Sequence, residues 1–298
     1  MSATSARPGA PARSIDVRVD GGTLHALVWG SSPHTLVCLH GVTASAVSFQ
    51  ALADRLADRF TLVAPDLRGR GRSAHLPGPY GMAAHAADVI ATLDHLGVPD
   101  AALLGHSMGG YVAVQTAVLR PDRVERLHLI DGGLPLEVPD GLDPDAVVAA
   151  VLGPALDRLR RTFPSRDAYL EFWRVHPAFA DEPWTSYLDA YFDADLTGTT
   201  PLLRSRVSED AVMADGRDQL VNTDLLRLTE LDHPVSLVRA PRNLLDEPTP
   251  LFPDPVVEQT RKHLTQLVDR VVPDVNHYTL LLSPRGADAI AASVLDAV

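Results

Sequence analysis

Cysteine occurs once in the 298 residues, at Cys38, so no internal disulfide can form. It lies in the apolar run Thr35-Leu36-Val37-Cys38-Leu39, where a thiol is expected to be buried and inert. Lysine also occurs once, at Lys262, and the other basic residues are all arginine; the bias reads as a mark of genome composition, not of function. A formal charge of −12 argues against nucleic acid as a partner, because phosphate binding needs clustered Lys and Arg. No apolar stretch approaches the ~20 residues of a membrane helix. Residues Met1 to Arg13, rich in Ala, Ser and Pro, lack an apolar signal-peptide centre. A disordered tail over 1–13 and a cytoplasmic protein without membrane contact are expected. No two histidines stand at metal-ligand spacing, so no metal site is expected.

What the chain has is an alternation of short apolar runs and helical patterns from residue 15 to about 131, which predicts a largely parallel sheet covered by helices. Ser14–Val19 and Thr23–Trp29 read as a hairpin turned at Asp20-Gly21-Gly22. His34–Leu39 is apolar without alternation, as a buried parallel strand should be. A helical pattern over 49–59, a strand over 60–64 and a helix over 83–96 stopped by Gly97 follow. Then come a strand over 101–104, a helix over 108–119 and a strand over 124–130. From Pro135 to Leu231 no strand pattern is convincing, and prolines cut the helical segments. The alternation resumes with a strand at 234–239, a helix near 255–267, a strand near 268–272 and a helix at 287–295. The division is a core domain of 14–134 and 232–298, with a helical cap inserted at 135–231.

The chemistry centres on Gly105-His106-Ser107-Met108-Gly109. A strand ends just before it and a helix begins just after Ser107, the context of a nucleophile elbow. The turn is so tight that only small side chains fit two residues either side of the serine, hence Gly105 and Gly109. Ser107 then lies at a helix N-terminus, where the dipole favours developing negative charge. His40-Gly41-Val42 follows another strand end, and Gly41 lets the backbone approach substrate closely. The amides of Val42 and Met108 are the candidate oxyanion hole, each donor worth about 3 kcal/mol. The base should be a histidine late in the chain, and His277 in Val275-Asn276-His277-Tyr278-Thr279 fits. His40 and His106 are expected to line the pocket, and His85 to sit on a solvated helix face.

Together with Pro65-Asp66-Leu67-Arg68-Gly69-Arg70-Gly71-Arg72-Ser73, these motifs resemble the α/β-hydrolase superfamily, in particular its serine esterases, lipases and lactonases that carry a helical cap. The resemblance spans residues 15–131 and 233–298. It implies an α/β-hydrolase fold with a mostly parallel, eight-stranded sheet flanked by helices, and no cofactor. It also implies that Asp66–Ser73 is a structural loop without a catalytic role. The family's usual acid follows the strand at 234–239, in a pattern like Gly-x-x-Asp. Here Ala240 and Asn243 take those places, and Asn cannot stabilise an imidazolium by charge. Asp246, three residues on, is one alternative. The other is Asp131, at the end of the strand after the nucleophile helix, where haloalkane dehalogenases and certain lactonases of this family carry theirs. Asp274 is a more distant third.

Nine of the 16 aromatics fall between Phe163 and Phe192. Tyr169, Phe172 and Trp173 share one helical face and Trp184, Tyr187 and Tyr191 another. Such faces either build the cap's own core or line an apolar pocket over Ser107, with Trp173 and Trp184 among its walls beside His40, Gly41 and His106. The reading is a serine hydrolase that cleaves an ester, lactone or similar acyl bond of a hydrophobic small molecule through an acyl-enzyme, as a monomer or homodimer. A C–C bond hydrolase, perhydrolase or acyltransferase on the same three residues is the alternative, and from another class a non-catalytic ligand receptor. Epoxide hydrolase and dehalogenase chemistry is disfavoured, since both need a carboxylate where Ser107 stands.

Overall fold

The computed structural model describes residues 9, 12–135, 141 and 143–297. Of the expected tail, residues 1–8, 10 and 11 lie outside the described residues, and Arg13 already belongs to the first strand. That strand, Arg13–Val19 (β1), pairs antiparallel with Gly22–Trp29 (β2) through a turn in which Gly21 takes φ 82°. Thr35–Leu39 (β3) is buried at every position. Gln50–Leu56 (α1) then buries Leu52 and Leu56, and leads into Thr61–Pro65 (β4). Met82–Leu96 (α2) ends where Gly97 adopts φ 68°, the left-handed cap that glycine supplies without strain. Ala101–His106 (β5), Met108–Leu119 (α3) and Val124–Ile130 (β6) follow.

Between β6 and the next strand of the main sheet come Pro144–Leu159 (α4), Arg166–Arg174 (α5), Pro177–Ala180 (α6) and Ser186–Asp195 (α7). The side chains of Asp143, Ser165 and Thr185 cap α4, α5 and α7. Two short antiparallel strands, Leu196–Thr197 (β7) and Arg204–Ser205 (β8), correct the expectation of a strand-free segment. At two residues each they are too short for a period-2 pattern to show. Glu209–Val221 (α8), capped by Ser208, and a 3-10 turn over Thr223–Glu230 complete the segment. Val235–Arg239 (β9), Asp254–Arg261 (α9), Leu267–Val271 (β10), Thr279–Leu282 (α10) and Pro284–Leu295 (α11) close the chain.

The main sheet has eight strands in the order β1-β2-β4-β3-β5-β6-β9-β10, antiparallel only at β1–β2 and β2–β4. Its core strands face apolar layers on both sides, one with Val89, Leu93 and Val112, the other with Phe49, Leu52 and Ile290. Each fully buried side chain of this kind stabilises by roughly 1.5–3 kcal/mol. This is the α/β-hydrolase fold that the motifs imply. Parallel register places the site: His106 lies beside Ile130, and Ile130 beside Val238. Ser107, Asp131 and Arg239 therefore leave neighbouring strands at one level, the C-terminal edge where open α/β sheets bind ligands.

The aromatic faces of 163–192 mostly pack on one another. Trp173 stacks on Phe192 at 4.7 Å, and Trp184 on the same ring at 5.5 Å. Tyr169, Phe179 and Leu282 join that cluster.

Candidate active site

Ser107 is held at φ 54° and ψ −122°, outside the regions an L-residue prefers, a strain of about 1–3 kcal/mol. Its amide is tied to Ile130 O at 2.9 Å. The turn is crowded as its glycines indicate: a Cβ on Gly105 would lie 2.1 Å from Gly109 O, and one on Gly109 1.9 Å from Leu39 O. The hydroxyl makes no cap bond to α3, and Ser107 lines a cavity of about 320 Å³.

His277 lines the same cavity and is nearly fully buried, without a hydrogen bond to Ser107 in this structure. Its Nδ1 donates to Asp131 Oδ2 at 2.8 Å, which leaves Nε2 as the ring's acceptor. Asp131 is itself buried, at φ 45°, with its amide on Val238 O at 2.8 Å and its Oδ1 accepting from Ala240 N at 3.3 Å. A Cβ on Gly132 would meet Ser107 O at 2.1 Å, so that glycine lets the Asp131 turn close against the serine. The other acid candidates lie elsewhere. Asp246 pairs with Arg242 at 2.6 Å and accepts from Asn276 at 3.0 Å. Asp274 pairs with Arg285 at the surface. Asn243 accepts from the amides of Leu245 and Glu247 and builds the turn after β9.

Sequence reasoning missed the supports of His277. Asn276 Oδ1 accepts from the amides of Tyr278 and Thr279, while its Nδ2 donates to Ala178 O. The signal was the polar pair flanking His277, Asn276 and Thr279, both buried.

Three expectations need correction. His85 is not solvated: it is fully buried, with Nε2 2.9 Å from Asp215 Oδ2. The helix periodicity could not show that α8 would cover that face. His40 does not line the cavity. Its Nδ1 donates to Gly41 O at 2.8 Å and its Nε2 accepts from Leu67 N at 3.0 Å, so it clamps the turn from beneath. Trp173 and Trp184 also lie outside the cavity lining, because their rings are spent on the Phe192 stack.

Gly41 and His106 do line the cavity. A Cβ on Gly41 would come 3.3 Å from Ser107 Cβ, so the turn bearing the Val42 amide lies against the serine. His106 Nε2 donates to His277 O at 2.9 Å, and the two rings lie 4.7 Å apart. Burial, with His277 close by, pushes the His106 pKa down to about 3, and burial lowers His40 to about 4. Both rings stay neutral at pH 7. Above Ser107 the cavity is walled by Val148 and Leu152 of α4, Gly216 and Leu220 of α8, and Leu251 and Phe252 before α9. No Arg or Lys lines it among the described residues, and among the same residues no three His, Cys, Asp or Glu group as metal ligands. No helix among them is long and apolar enough to cross a membrane.

A family model described as the alpha/beta hydrolase fold matches residues 34–180. Over 117 residues, 39% of this chain and 44% of the relative, the chain is 37% identical to N-formylmaleamate deformylase of Pseudomonas putida. Over 130 residues, 43% of this chain and 48% of the relative, it is 37% identical to lipase LipV of Mycobacterium tuberculosis. The matched stretch spans less than half the length of these curated relatives. Among solved structures, E-2-(acetamidomethylene)succinate hydrolase superposes with a TM-score of 0.76 at 24% identity, covering 96% of this chain and 98% of that one. A hypothetical protein of Pseudomonas aeruginosa PAO1 superposes at 0.71 with 25% identity, covering 96% and 99%. Strand order, glycine-packed serine turn and the match to the family model over 34–180 agree: the chain has the α/β-hydrolase fold.

Proposed function

We propose that the protein is a serine hydrolase cleaving an ester, lactone or similar acyl bond of an uncharged, hydrophobic small molecule through an acyl-enzyme on Ser107. One observation carries the reading. A strained serine and an imidazole whose Nδ1 is held by a buried carboxylate open into one apolar cavity.

As Ser107 Oγ attacks the carbonyl carbon, its proton passes to His277 Nε2 and the carbonyl π pair moves onto oxygen. The hydroxyl–imidazole bond forms as substrate seats, as such bonds commonly do. Asp131 fixes the tautomer and offsets the charge on the imidazolium. Met108 is the first residue of α3, so its amide is one of the helix's orphan donors. With the Val42 amide it receives the oxyanion. The imidazolium gives its proton to the leaving group, and a water deprotonated by His277 then cleaves the acyl-enzyme.

The cavity limits the substrate. At 320 Å³ it is about twice the ~150 Å³ that holds one benzene, so it takes two groups of ring size or a medium-length chain. A carboxylate entering it would lose its hydration without a cation to replace it. The relatives named for succinate and maleamate act on anions; this cavity suits a neutral ester. The lipase-named relative is consistent with an apolar acyl group.

Labelling with a fluorophosphonate, followed by peptide mass spectrometry, tests the nucleophile: Ser107 takes the label and Ser107→Ala takes none. A panel of neutral aryl and medium-chain esters, lactones, and matched hemisuccinates tests the substrate class, the hemisuccinates being the poorest. An unlabelled Ser107 would leave the receptor reading in place, and a preference for the anionic esters would overturn the substrate class.

A further inference from the structure

Among the described residues Arg70 is the largest side chain with no exposure at all, and a merely structural loop does not require one there. A guanidinium does not lose its charge at accessible pH, so burying one demands that its donors be matched. Its Nε donates to Val42 O at 2.9 Å and one Nη to Arg68 O at 3.0 Å. The same Nη binds the fully buried Asp215. The other Nη reaches Met108 Sδ at 3.9 Å. One planar group therefore touches the two residues whose amides face the developing oxyanion in the reading above.

The far end of the link is on α8. Asp215 Oδ1 accepts from Gly81 N at 2.6 Å, and His85 Nε2 lies 2.9 Å from its Oδ2. Beside it, Gly216, Gln219 and Leu220 line the cavity. The start of α8 is also pinned to the loop of Arg70, Ser208 N donating to Gly69 O at 2.8 Å. The helix that forms a wall of the cavity is thus the helix that anchors Arg70.

We propose that Arg70 is a positioning residue for the oxyanion turn, and that Asp215 makes its position depend on α8 seating over the cavity. Arg70 touches no substrate atom. It fixes the Val42 carbonyl, and through that peptide unit the direction of the neighbouring turn. A displacement of the order of 1 Å at such donors costs about 10²-fold in rate. The inference rests on the hydrolase reading of Ser107.

Removing Arg70 alone leaves Asp215 buried without its cation, which destabilises the fold for reasons unrelated to positioning. The test therefore uses Arg70→Lys, which keeps the charge but not the fork, and the double variant Arg70→Met with Asp215→Leu, which removes both charges together. Each is assayed on a neutral aryl ester and titrated with an aryl trifluoromethyl ketone. In the ketone adduct a Ser107 Oγ–C bond forms, the carbonyl pair becomes an oxyanion and the serine proton moves to His277. The matching secondary alcohol, which forms no adduct, reports ground-state binding. For variants with a cooperative unfolding transition, kcat and ketone affinity fall together by about 10²-fold while KM and alcohol binding stay within about twofold. Wild-type kcat and ketone affinity in the double variant overturn the proposal. So does an equal loss for ketone and alcohol in step with stability, which marks a merely structural pair. If the wild-type protein itself forms no ketone adduct, the hydrolase reading fails and this one with it.

Discussion

Replacing Asp131 by Asn tests the division of labour at the site with almost no change of shape. In the structure Asp131 Oδ2 accepts from His277 Nδ1 at 2.8 Å while Oδ1 accepts from Ala240 N at 3.3 Å. Both contacts need an acceptor, and Asn has only one. If its Oδ1 serves Ala240, its Nδ2 donates to His277 Nδ1, and the ring proton moves to Nε2. The imidazole then cannot take the proton of Ser107. If Oδ1 serves His277 instead, two donors face each other at Ala240 and the imidazolium still lacks its counter-charge. A loss of about 10⁴ in kcat is expected, which corresponds to about 5.5 kcal/mol of barrier. The assay is initial-rate and burst kinetics on a neutral aryl ester, with thermal unfolding to establish that the variant is folded. Asp246→Asn is the control. Its carboxylate serves Arg242 and Asn276, so its loss should cost about tenfold or less, through looser seating of the His277 loop. A folded Asp131→Asn variant within tenfold of wild type would refute the reasoning, and a 10³-fold loss in Asp246→Asn would move the role there.

Two further outcomes concern the scaffold. His40, His106 and His128 are buried, and burial holds their pKa values down to about 4, about 3 and about 4, in His40 against the opposing pull of Asp66. The unfolded chain therefore takes up protons near pH 6.5 that the folded chain refuses. Their contribution is fully present above about pH 6.5 and is lost as pH falls from 6.5 toward 4, with a slope of up to about 4 kcal/mol per pH unit. Urea unfolding across that window measures it, and a flat profile would contradict their burial in the neutral form. Gly109→Ala places a Cβ 1.9 Å from Leu39 O, a backbone clash expected to destabilise by about 3 kcal/mol or more. Differential scanning calorimetry would show the loss, and unchanged stability would mean that the serine turn is looser than its geometry.

Local pattern carried most of the fold. The unalternating apolar runs over β3 and β5 could be covered only on both faces, and Gly97 marked the end of α2 because the left-handed cap costs glycine least. Gly105 and Gly109 were legible because a tight turn leaves no room for a side chain, whatever the rest of the chain does. The aromatics of 163–192 were ambiguous. Helical spacing shows that Tyr169 and Trp173 share a face, but not which element meets it, and Phe192 and Leu282 were the answer.

The sequence by itself determined where the serine turn lies, that a parallel sheet carries it, and that a late histidine follows the last strand. These rest on residues close together in the chain, whose geometry neighbouring atoms decide. Only tertiary structure shows which carboxylate meets His277, because that depends on the register of β6 beside β9, which puts Asp131 level with Ala240 and within reach of the ring. It also turned His85 from a surface residue into part of a buried charge network, and gave Arg70 its partners 28 and 145 residues away. Long-range pairing of charges leaves no periodic trace in a sequence, since burial and partner arrive together only when the chain has closed on itself.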